Sequence, residues 1–134
     1  MRVSTFLIIT AVIAIFFGLF QMLAPSTLGV MYGVNPEIAR DLAFTYNLRL
    51  LGSALTALGV LAWLIRNSDP SVVRPYLIAM VVCNATGVVI SLHRQLVGGT
   101  GMGWLNVLIY GALLLGALYF LSKRGSTLTA NRPV

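Results

Sequence analysis

Long apolar runs separated by short polar connectors make up almost the whole chain. Val3 to Ala24, Phe44 to Ile65, Val72 to Val97 and Trp104 to Leu121 each hold about 20 residues with few charges, enough for a helix to cross a hydrocarbon core roughly 30 Å thick. The pattern predicts an all-α fold, an integral membrane four-helix bundle in one domain over 1–134. The first run carries Ile, Val and Phe on every side, is broken by Gly18 and ends at Pro25. It predicts a retained span, because Met22-Leu23-Ala24 is a poor cleavage site for a signal peptidase. The bulk of this helix predicts looser packing than in the other three, or contact with a partner.

Small residues mark the faces where helices are expected to meet. In the second run Gly52, Thr56 and Gly59 share a face; in the third Ala79, Cys83, Gly87 and Ser91 fall at i+4 steps; in the fourth Ala112 and Gly116 repeat the spacing. Such stripes let backbones approach closely where no hydrophobic effect drives helices together. Between the first two runs, Pro36 followed by Glu37 and Asp41 predicts a short amphipathic helix on the outer surface. Gly98 to Gly103 is the most flexible stretch by composition, and it has neither the lysine nor the preceding strand of a phosphate loop.

At 58% hydrophobic and 9% charged residues, the composition lies far outside the soluble globular range, and no soluble domain is left over. The net charge of +6 is spread over connectors and ends, which argues against nucleic acid as a partner. Arg2, Arg66, Arg74, Lys123, Arg124 and Arg132 fall on one side of a four-span topology, with Arg40 and Arg94 on the other. The positive-inside rule then places both termini in the cytoplasm. Tyr32, Tyr46 and Trp104 would mark the outer interface, and Trp63, Tyr76 and Tyr119 the inner one.

Arg49 lies inside the second run, where an ionisable group is costly and faces protein, water or a partner. The topology brings Arg49 to a depth shared by Asn47, Gln21, His93, Arg94, Gln95 and Asn106. Two readings stay open for this cluster. Arg49, His93 and Arg94 form a pocket for an anionic headgroup or a carbonyl-bearing ring, or Glu37 and Asp41 act as counter-charges to Arg49 while His93 and Arg94 cap a helix end. His93 is the single histidine and Cys83 the single cysteine, so no metal site, thiol pair or catalytic constellation is indicated. The one cofactor arrangement left is axial ligation of a macrocycle by His93, against which Val89 crowds the preceding turn.

The pattern Asn47-x-Arg49-x-x-Gly52 with Gly59, followed by Gly87-x-x-x-Ser91-Leu92 and a glycine-rich connector, resembles the small bacterial four-helix membrane proteins grouped as DoxX-like. Where those relatives carry an arginine soon after the glycine of the third span, this chain has Val88 and Val89, with Arg94 later. The resemblance implies a bacterial inner membrane and work as an accessory to membrane redox systems. The first expectation is therefore a non-catalytic accessory or assembly subunit, redox or photosynthetic, of a larger membrane complex, with a protein partner or a second copy of the chain. The alternative is a lipid- or isoprenoid-binding protein, a transporter or enzyme, with an outer-leaflet pocket around Arg49.

Overall fold

A backbone crossing hydrocarbon has to satisfy its own polar groups, which leaves the helix as the spanning form for runs like these. The computed structural model describes residues 2–97 and 101–129. Its elements are α1 (Val3–Leu23), α2 (Pro25–Met31), α3 (Pro36–Arg40), α4 (Leu42–Ile65), α5 (Pro70–Leu96) and α6 (Gly101–Thr129), with no strand among the described residues. α1, α4, α5 and the Gly103–Lys123 part of α6 are long and apolar enough to cross a membrane. The chain is a multi-pass membrane protein by this measure.

Local chemistry sets the boundaries. Pro25, Pro36 and Pro70 open α2, α3 and α5, where a missing N–H leaves nothing unsatisfied. The Asp41 carboxylate accepts from the Ala43 and Phe44 N–H groups at 2.9 and 3.1 Å and so fixes the start of α4. Gly33, at φ 77°, makes the turn between α2 and α3 that a side chain would strain. α6 begins at Gly101, so part of the glycine-rich run is helical. Residues 98–100 of that run, and Arg132, lie outside the described residues.

Two antiparallel pairs build the bundle, α1 with α4 and α5 with α6. The first seam is held at glycines. A Cβ on Gly18 would stand 2.7 Å from the Gly52 carbonyl oxygen and from the Thr56 nitrogen, and one on Gly52 would stand 2.6 Å from the Gly18 carbonyl oxygen. Ala11 and Ala14 then close on Gly59. The first helix thus packs tightly rather than loosely, and Gly18 is a contact point inside an unbroken helix. In the second pair, Gly87 makes room for the Tyr110 ring. Ala112 is exposed, and Gly116 seats the Phe6 ring of α1 instead.

The pairs converge at the end where α1 begins and α6 ends, and there Phe6, Leu7, Val73, Leu77, Ala117 and Phe120 belong to one buried cluster. Exposed Trp63 and Tyr119 lie near this end with cations over their rings, Arg66 at 4.2 Å and Lys123 at 4.9 Å. Tyr32 and Tyr76, expected among the interfacial aromatics, turn inward. Tyr76 is buried and donates from its hydroxyl to the Leu58 carbonyl at 3.1 Å, tying α5 to α4.

Candidate functional site

Beyond that cluster the two pairs part, and a cavity of about 260 Å³ lies between them, toward the end that carries α2 and α3. Ile13 and Phe17 of α1, Leu55 of α4, Met80 of α5 and Ile109 and Leu113 of α6 give it an apolar wall. No charged side chain lines it.

Its polar groups divide by what they already bind. Thr10 Oγ1 donates to the Phe6 carbonyl at 3.0 Å, and Asn84 Nδ2 donates to the Met80 carbonyl at 2.7 Å, so both are tied to their own helices. Gln21 differs: its Oε1 is buried with no hydrogen-bond partner. Gly52 makes its placement feasible, since a Cβ there would stand 2.8 Å from the Gln21 Cβ. The Tyr110 hydroxyl, also on the cavity wall, makes no hydrogen bond among the described residues.

Tyr32 forms the roof. It caps the C-terminus of α2, and its hydroxyl donates to Asn106 Oδ1 of α6 at 2.8 Å. Burial pushes the Tyr32 phenol above its ordinary value, with a smaller opposing effect from Asn106, so the donor stays neutral at physiological pH. Above the roof is a smaller cavity of about 200 Å³, lined by Ser91, Arg94, Gln95 and Gly103 and sharing Tyr32 and Asn106 with the larger one. The Tyr32–Asn106 bond therefore lies where a charged outer recess and an uncharged inner chamber share their lining. Tyr32→Phe is expected to lower stability by about 1 kcal/mol, the usual net worth of such a bond, read as a fall in melting temperature. Because the folded-state phenol is raised, its stabilisation is present below pH 10.0 and is lost as pH rises through the folded value. The wild-type and Tyr32→Phe melting curves should accordingly converge in strong alkali.

The seven residues that the sequence grouped around Arg49 are divided by the fold. Gln21 and Asn106 line the larger cavity, and Arg94 and Gln95 line the smaller, which Asn106 shares. Asn47, Arg49 and His93 are exposed and line neither. Among the described residues Arg49 makes no ion pair with Glu37 or Asp41, and the Asp41 carboxylate is used in capping α4. No group of three or more His, Cys, Asp or Glu side chains comes together among the described residues. The residues missed by sequence reasoning are Tyr32, Tyr110 and the chamber role of Asn84. The readable signal was the i, i+4, i+7 face of Asn106, Tyr110 and Leu113 on α6, which carries hydrogen-bonding groups into an otherwise apolar helix. Comparisons with protein-family models, with curated proteins and with solved structures return no match.

Proposed function

We propose that this chain binds a neutral, ring-bearing lipid or isoprenoid carrying a hydroxyl group, held in the chamber between the two helix pairs. The observation that carries this reading is an uncharged, largely apolar cavity with Gln21, whose buried carbonyl has no partner, among its lining residues. A cavity of about 260 Å³ exceeds the ~150 Å³ that accommodates benzene in a dry core. It therefore suits one substituted ring, or the ring end of a longer molecule. With no charge on the wall, a charged ligand would lose its hydration without compensation. A buried acceptor left unmade costs on the order of 1–3 kcal/mol, which a ligand O–H aimed at Gln21 would recover.

In this reading the end where α1 begins and α6 ends is cytoplasmic, in a bacterial inner membrane, and the chamber occupies the outer half of the bundle. The basic residues of that end and the cations over Trp63 and Tyr119 support the orientation. The test is titration of the protein in lipid nanodiscs with 4-octylphenol, followed by native mass spectrometry. The wild type should take up one equivalent, and Gln21→Leu should weaken binding by about tenfold, the worth of one good hydrogen bond. Retention of phospholipid alone, with no uptake of the phenol, overturns the reading.

A second reading rests on Arg49, which is exposed on a spanning helix without an ion pair among the described residues. An intramembrane cation in that position calls for an acidic partner chain or a lipid phosphate. This is the accessory-subunit function, and it is compatible with a filled chamber. Arg49→Leu should leave the melting temperature of the isolated protein nearly unchanged but remove a stoichiometric partner on purification in mild detergent.

A further inference from the structure

We infer that the chamber fills sideways from the hydrocarbon, through a gap between α4 and α5 rimmed by Leu58, Ala79 and Cys83. This rests on the binding reading above and adds where the ligand comes from. The other approaches are more covered. Glycine contacts close the α1–α4 and α5–α6 seams, and between α1 and α6 the lining residues Ile13, Phe17, Ile109 and Leu113 are half-buried. The Tyr32–Asn106 bond stands at the end facing the outer recess, where a ligand would meet the charged Arg94. Between α4 and α5, in contrast, the same residues both line the chamber and face outward: Leu58 is 43% exposed, and Ala79 and Cys83 are exposed. The Tyr76–Leu58 hydrogen bond ties the two helices at the lower edge of this gap.

The surface around the rim is apolar as well, with Ile78 and Val82 49% and 64% exposed. A ligand crossing here passes no charge and loses no hydration, so the route selects molecules already dissolved in the bilayer over solutes in water. The ligand class is thereby narrowed to membrane-partitioning phenols and alcohols.

Cys83 is the single cysteine of the chain and reports on the gap directly. The protein in nanodiscs is alkylated with N-phenylmaleimide and titrated with 4-octylphenol, alongside a Val82→Cys control in a Cys83→Ser background. The adduct at position 83 should lower uptake by about tenfold or more, as expected when a site is physically blocked, and bound 4-octylphenol should slow the alkylation. The adduct at position 82, one residue along and turned to lipid, should have little effect. Ala79→Trp offers a second obstruction that needs no labelling, with its melting curve checking the fold. Equal uptake with and without both obstructions overturns the lateral route while leaving the binding reading intact. If the unmodified protein takes up no 4-octylphenol, the binding reading fails and the route fails with it.

Discussion

Gly18→Val is expected to lower unfolding stability by about 3 kcal/mol, the upper range for overpacking a close contact, and to loosen α1 from α4. The magnitude follows from what the new side chain would meet. The atoms nearest an added Cβ include the Gly52 carbonyl oxygen and the Thr56 backbone nitrogen, both at 2.7 Å, and backbone cannot rotate out of the way as a long side chain can. The seam is reciprocal, because a Cβ on Gly52 would meet the Gly18 carbonyl oxygen at 2.6 Å. Either helix can yield only by moving as a whole. Gly111 supplies the control, with nothing within 4 Å of an added Cβ. Gly111→Ala should be neutral or stabilise by up to about 1 kcal/mol, since alanine favours the helix over glycine. Melting curves in detergent read both, and equal effects at the two positions would contradict the seam. Chamber geometry depends on the same contact, because Gln21 hangs beside Gly52. Gly18→Val should therefore also weaken 4-octylphenol uptake, whereas Gly111→Ala should not.

The seam also shows what was legible in the chain and what was not. Four apolar runs and the polar connectors between them are enough to place four long helices, because run length and the requirement for internal backbone pairing leave no other solution in lipid. The small face of Gly52, Thr56 and Gly59 could be read as well. Its partner could not, because α1 presents bulk on most sides and its own small face, Ala11, Ala14 and Gly18, is embedded among Ile, Val and Phe. A glycine in an apolar helix reads as a weakness until the opposing backbone is known. Arg49 had the opposite effect on the reading. Its charge attracted the site assignment, yet depth along a helix says nothing of direction around it, and the cavity forms from uncharged residues on other faces. Tyr32 illustrates a third limit. It ends a short connector helix 74 residues from its partner Asn106, a separation at which nothing in the sequence pairs the two.

Asn84→Asp probes the neutrality on which the binding reading depends, and it is expected to cost about 2.5–3.5 kcal/mol at neutral pH, the range for a charge near the centre of a spanning helix. The exchange keeps shape and volume; a neutral carboxyl can still donate to the Met80 carbonyl as the Asn84 amide does, whereas the carboxylate cannot. Asn84 is 5% exposed, and no cation lines the chamber beside it, so desolvation is uncompensated and the new carboxyl will be pushed above its ordinary value of about 3.9. The sign of the pH dependence follows. A group raised in the folded state is harmless below its unfolded value, and the fold then loses about 1.4 kcal/mol per pH unit until the folded value is passed. The melting temperatures of Asn84→Asp and wild type should therefore nearly coincide around pH 4 and diverge steadily as pH rises. Asn84→Leu, similar in volume and without charge, should show an offset that does not change with pH. The same split should govern ligand uptake, because a carboxylate in the wall draws water into the chamber and disfavours a neutral ring. A variant as stable as wild type at every pH would mean that the carboxylate finds a cation or open water there, and a chamber that tolerates charge would not select a neutral lipid.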